Sequence, residues 1–288
     1  MMRQFCLCLG LVVCLSAAVG AADPWADSVV EYAAGDLTPG DFDQPATALG
    51  EPSRTTWESI NWPSTGALVS VRMTESAWLT TQVCKVGNGG RLTVGFDEPV
   101  LNEALNPYGL DLLMFTNACF ATTDWPANMH IMDPAMTFGG VLGRIWVSQD
   151  NATFYEVANP GTVFPAQAYL SAAADAHASG AAPSDFTRPV NPALSLGSFS
   201  GLSLADAVPL YGGAGGGLGI DLSALKDAAG NPVSLDWIQY VKVEGYTSAI
   251  DGFSDVAPLP EPGTAVLLGL GGAALVLRRR APVASKNR

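Results

Sequence analysis

Arg91-Leu92-Thr93-Val94-Gly95-Phe96 alternates polar and apolar residues with a period of two. In an extended chain this spacing puts Leu92, Val94 and Phe96 on one face, with Arg91 and Thr93 opposite. Gly87-Asn88-Gly89-Gly90 reads as the turn that introduces the strand. Asp97-Glu98-Pro99 is expected to end it, because proline cannot donate to a sheet ladder. A half-buried strand between two turns is the unit from which the rest of the fold is read.

The same signal recurs outward from this segment. Leu68 to Met73 alternates. Asp111 to Asn117 has an apolar centre, as an inner strand does. Ile145 to Ser148 and Thr153 to Val157, joined through Gln149 to Ala152, read as a hairpin, and Trp237 to Glu244 as a late strand burying much of both faces. Helical signals are brief. Asp43 is placed to cap a turn over Pro45 to Leu49, stopped by Gly50, and Leu222 to Lys226 suggests another turn. Between Val163 and Gly219 the pattern dissolves into small-residue tracts, read as long loops with one helix, Ala166 to Ala178. The fold class expected is all-β: a β-sandwich, jelly-roll-like, with long Gly/Ala/Ser-rich loops, plus a short C-terminal transmembrane helix.

Both ends carry targeting patterns. Residues 1–22 read as a secretory signal peptide: Arg3, an apolar run from Phe5 to Val19, and Gly20-Ala21-Ala22 before Asp23. Residues 257–288 hold Pro260-Glu261-Pro262, an uncharged apolar run from Gly263 to Leu277, then Arg278, Arg279 and Arg280. The run spans about 22 Å as a helix, short against a bilayer core of about 30 Å, and the arginines predict a cytoplasmic end. That order resembles the PEP-CTERM sorting signal of exported bacterial proteins. The resemblance implies a partner, a membrane protease-transpeptidase of the exosortase type, with transient insertion of the tail and localisation at the cell surface or in the extracellular matrix. Gly263 departs from the Ser or Thr usual before Thr264.

The remaining stretch, 23–256, holds 26 acidic and 8 basic residues, a formal charge of −18. Such a surface repels nucleic acid and anionic lipid. Within it, Asp43-x-Pro45-x-x-Ala48-Leu49-Gly50-x-Pro52, Gly89-Gly90-x-Leu92-Thr93-Val94-x-Phe96, Gly109-x-Asp111-Leu112, Val147-Ser148-x-Asp150 and Ile250-Asp251 occur in that order. The set resembles bacterial cell-surface proteins whose ectodomains are similar to discoidin or galactose-binding domains. No catalytic residue is carried over from that resemblance.

The search for chemistry is mostly negative. His130 and His177 have no second His or Cys at zinc-ligand spacing, and there is no phosphate loop or nucleophile elbow. Glu98 with Glu103, Glu156 or Glu244 could pair for glycoside hydrolysis, but solvated surface acids are the plainer reading. Ca²⁺ is the cofactor the composition suits: Asp111, Asn117, Asp221, Asp251 and Asp255 fall at strand ends or in loops, where they could equally cap their own backbone. Cys84 and Cys119 are left in the mature chain, either as one disulfide worth about 3 kcal/mol or as two buried thiols. Trp25, Trp57, Trp62, Trp78 and Trp125 lie in or near loops. Of these, Trp57, Trp62 and Trp125 are the candidates for stacking on sugar rings, while Trp146 and Trp237 look like core. The expected function is a non-enzymatic surface or matrix protein binding carbohydrate, exopolysaccharide or a surface partner. The alternative is a secreted polysaccharide-active enzyme on the same fold.

Overall fold

The computed structural model describes residues 23–58, 67–124, 129–173, 181–245 and 247–257. Residues 1–22, read as a signal peptide, Trp62, Trp125, the apolar run 263–277 and the remainder of the chain from residue 258 lie outside them. No helix of the described residues is long and apolar enough to cross a membrane.

The described chain is nearly all β. Its strands in order are β1 (Ser28–Ala33), β2 (Thr55–Trp57), β3 (Leu68–Ser70), β4 (Arg91–Leu101), β5 (Leu112–Thr116), β6 (Cys119–Phe120), β7 (Thr137–Phe138), β8 (Arg144–Ser148), β9 (Tyr155–Glu156), β10 (Leu218–Ile220), β11 (Leu225–Lys226), β12 (Pro232–Val233), β13 (Trp237–Glu244) and β14 (Ile250–Asp255). One open sheet runs β1-β4-β13-β8-β9-β11-β12 and a second runs β10-β5-β14, while β2-β3 and β6-β7 stand as separate pairs. Every pairing between these strands is antiparallel.

The alternation at Arg91–Phe96 does what its period demands. Leu92, Val94 and Phe96 enter a core with Ile145, Val147, Val241 and Val243 from flanking strands. The three-stranded sheet supplies Leu112, Met114, Leu218, Ile220 and Phe253 to the same core. Each such side chain contributes about 1.5–3 kcal/mol on burial. Strand β5 lies mid-sheet and is buried throughout, as its apolar centre predicts. Its alternate residues Leu113 and Phe115 face another cluster, where the Phe115 and Phe186 rings meet edge-on at 5.1 Å.

Asp97-Glu98-Pro99 does not end β4. Tyr240 faces Gly95 while Ile238 faces Val100, so a bulge on β4 opposes Gln239. The Gln239 amide donates to the carbonyls of Phe96 (3.0 Å) and Asp97 (3.4 Å), and the Asp97 N–H donates to the Asp27 carboxylate at 2.7 Å. Side chains satisfy the bulged backbone, so Pro99 shifts the register without breaking the strand. Before β4, the 87–90 turn packs against the end of β1. A Cβ on Gly35, at φ +72°, would lie 2.5 Å from the Asn88 carbonyl, and Asp36 holds that turn through the Asn88 N–H at 2.7 Å.

The hairpin read at 145–157 is β8–β9, with Trp146 opposite Glu156 and Val147 opposite Tyr155. Its turn is held by Asp150, which accepts from the N–H groups of Ala152 (2.9 Å) and Thr153 (2.8 Å). Two short assignments change. The turn at Pro45–Ala48 is a 3₁₀-helix that Asp43 does not cap; Asp43 instead accepts from the Gly40 N–H at 2.8 Å. Leu225–Lys226 is strand β11.

The largest difference lies in 163–219, which is not merely loop. Phe164, Phe199 and Tyr211 converge with Phe120 at ring separations of 5.2 to 6.1 Å and anchor a further core. The helix expected over 166–178 is absent from its described part, 166–173. There the backbone bonds outward, Gln167 N–H to Gly215 and Ala168 N–H to Val71, and leaves no helical ladder. Among the described residues the α-helix is instead α1 (Leu204–Ala207), whose Ser203 cap accepts from the Asp206 N–H.

Of the two cysteine alternatives, the structure has the unpaired one: both thiols are free. Cys84 is fully buried in the main core and bridges Ile250, whereas Cys119 opens β6 opposite Phe138. Burial pushes the Cys84 thiol up to about 11 and raises that of Cys119, so neither is a thiolate at neutral pH.

Candidate functional site

The aspartates expected to hold Ca²⁺ serve mainly as internal clamps. Asp111 accepts from the Asn106 amide (2.8 Å) and the Leu222 N–H (2.9 Å), tying β5 to the segment after β10. Asp251 accepts from both the N–H (3.0 Å) and hydroxyl (2.8 Å) of Ser53. Pro52 also lies against Gly252, so the Gly50-x-Pro52 and Ile250-Asp251 pieces of the ordered motif meet in space. Asp221 closes a local turn on Ser223. Asn117 keeps a buried side-chain oxygen without a partner among the described residues. Among the described residues no group of three or more His, Cys, Asp or Glu is arranged to hold a metal ion.

The acids considered for hydrolysis separate into two places. Glu98, Glu103 and Asp255 line one cavity of about 230 Å³. Burial, aided by the charges of Glu103 and Asp111, pushes Asp255 up to about 7. Glu156 and Glu244 lie elsewhere, paired with Arg144 (3.0 Å) and Lys242 (3.1 Å) on the seven-stranded sheet. His130 is held by Asp124 at 2.7 Å, both side chains half-buried.

The tryptophans also sort by register. Trp57 ends β2, opposite Leu68 of β3, and both are exposed, at 46% and 57%. Trp78 is 38% exposed, and its indole N–H donates to the Trp57 carbonyl at 3.0 Å. The Gln82 side chain buttresses this corner through Thr55 and Thr56. Two indoles and a leucine therefore stand open to solvent on a hydrogen-bonded corner. Of the three tryptophans expected to bind sugar, Trp57 is among the described residues, and its partner is Trp78, which is not one of the three.

Trp146 and Trp237 are half-buried, not core. Trp146 lies in one cross-strand row with Thr93, Lys242 and Glu156, on the face opposite Val94 and Val241. Arg144 and Lys242 cover its ring at 4.4 and 5.4 Å, a cation–π arrangement. Strand alternation shows that Trp146 and Val147 point apart; only the register shows which faces the core.

No protein-family model matches this chain, and no curated protein matches it significantly.

Proposed function

We propose that this chain is an exported, non-enzymatic cell-surface or matrix protein that binds carbohydrate. The observation that carries the binding reading is the Trp57–Trp78 corner. Sugar rings present flat C–H faces that stack on indoles, and a fixed indole loses little conformational freedom on binding. Replacing both tryptophans with alanine is expected to weaken retention on extracellular polysaccharide roughly tenfold or more. The melting temperature should hardly move, since both rings are solvent-exposed. Affinity electrophoresis in polysaccharide gels with parallel thermal melts would measure both, and unchanged retention would refute the corner as a binding surface. A jelly-roll-like sandwich is the finer description favoured for the fold, supported by the core that the seven- and three-stranded sheets share.

The sorting part of the proposal rests on Pro260-Glu261-Pro262, the apolar run and Arg278 to Arg280. An exosortase-type enzyme is the partner this order suits. Deleting 258–288 is expected to leave a soluble domain with its melting temperature unchanged but no longer retained or processed at the envelope. Cell fractionation with a melt of the purified fragment tests this; an unfolded or aggregated fragment would make the tail part of the core.

A polysaccharide-active enzyme remains the second reading. It is favoured by the cavity of Glu98, Glu103 and Asp255, where a proton-holding carboxyl adjoins other acids. Polysaccharide turnover abolished by Glu103→Gln would establish it over the non-enzymatic one.

A further inference from the structure

A cavity of about 280 Å³ lies where the main core meets the 163–219 segment. It opens along the free edge of β10. Gly217 pairs there with Phe164 through two backbone hydrogen bonds, of 3.1 and 2.8 Å. Strand alternation turns the Gly219 N–H and C=O to the same edge, and no backbone partner meets them among the described residues. The chain at 161–163 has diverged, and the cavity fills the gap.

Three polar side chains line it: Asn159, Thr162 and Asp221. Asp221 uses one carboxylate oxygen on Ser223, and its other oxygen has no partner among the described residues. The Asn159 and Thr162 side chains likewise have none there. Phe164 and Ile220 supply apolar wall, and no Lys, Arg or His lines the space.

From this geometry we infer that the cavity binds one small neutral polyhydroxy ring, of the size of a hexose. The volume is at the lower end of ligand sites, so it holds one ring and not an oligomer. Hydroxyl groups both donate and accept, which matches a carboxylate, an amide, a hydroxyl and a backbone N–H and C=O set side by side. The uncompensated carboxylate opposes an anionic sugar. This site goes beyond the surface reading and shares no residue with the Trp57–Trp78 corner.

The test is calorimetric titration of the mature chain with D-glucose, D-galactose, D-mannose and D-glucuronate. Ala224 is exposed at the rim, so Ala224→Trp narrows the mouth without touching the core. At least one neutral hexose should bind, and Ala224→Trp and Asn159→Ala should each weaken it roughly tenfold. The Trp57→Ala/Trp78→Ala variant should leave that binding unchanged, and glucuronate should not bind. Failure of all three neutral sugars, equal binding of glucuronate, or indifference to both cavity variants overturns the inference. Loss of hexose binding in the double tryptophan variant would also overturn it, by placing the sugar on the corner. Polysaccharide retention lost in the tryptophan variant with hexose binding intact would separate the two sites.

Discussion

Replacing Glu75 with glutamine is expected to cost about 3–5 kcal/mol of stability, the range for breaking a buried ion pair from one side. Arg72 and Glu75 form such a pair, their side chains only 3% and 1% exposed. Their backbones close the same turn, Arg72 N–H to the Glu75 carbonyl at 2.9 Å and the reverse at 2.8 Å. Arg72 also donates to the Ala172 carbonyl, while its Nε has no partner among the described residues. The Gln variant keeps the shape and removes the countercharge, leaving a guanidinium in a nearly dry site. Next to it, Met73 sits in the Phe120–Phe199 core and its carbonyl accepts from the Phe120 N–H at 2.7 Å. Loosening the turn should therefore weaken that core as well. Denaturant unfolding of wild type and Glu75→Gln measures the loss, and a difference below about 1 kcal/mol would show that the charge is already compensated. The double replacement Arg72→Met/Glu75→Leu removes both charges at similar volume and is expected to be far less damaging than either single change.

Stability should also fall as pH rises from 4 to 8. Asp251 is 2% exposed, and burial raises its carboxyl from 3.8 to about 7 despite the two bonds from Ser53. In the unfolded chain the proton leaves near 3.8; in the folded chain it stays until about 7. Between these values the unfolded state binds fewer protons, so each pH unit costs about 1.4 kcal/mol. The contribution is full below about pH 4 and lost above about pH 7, in total on the order of 4 kcal/mol. Asp255 and Asp111 are raised as well and act in the same direction. Asp251→Asn should raise the melting temperature most at pH 8, less at pH 5, and change it little at pH 4, because the Ser53 hydroxyl can turn from donor to acceptor for the new amide. Melts of both proteins across this range would decide the matter; a wild-type stability that climbs with pH would contradict it.

The strands were legible because their cause is local. Arg91 to Phe96 announces itself by a two-residue period, Asp111 to Asn117 by a short apolar run, and the 145–157 hairpin by a turn whose Asp acts within a few positions. The all-β class follows from those signals. The candidate surface was legible in part: Trp57 stood out as a tryptophan near a turn, whereas Trp78 joined it only through a hydrogen bond to a carbonyl 21 positions away.

What the sequence by itself determined is therefore the type of its periodic elements, the acidic charge of 23–256 and the uncharged apolar runs near both ends. The tertiary structure decided what long-range pairing alone can decide. It set the order β1-β4-β13-β8, which turns Trp146 away from the core and Val147 into it. It drew Phe164, Phe199 and Tyr211, from a region whose small residues carry no period, into one cluster with Phe120. It assigned Asp111 and Asp251 to clamps on Leu222 and Ser53, partners 111 and 198 positions away. The physical reason is common to all three. A side chain's rotation about its strand is fixed by neighbours one or two residues off, but its burial and its bonding partner depend on which distant strand is set beside it.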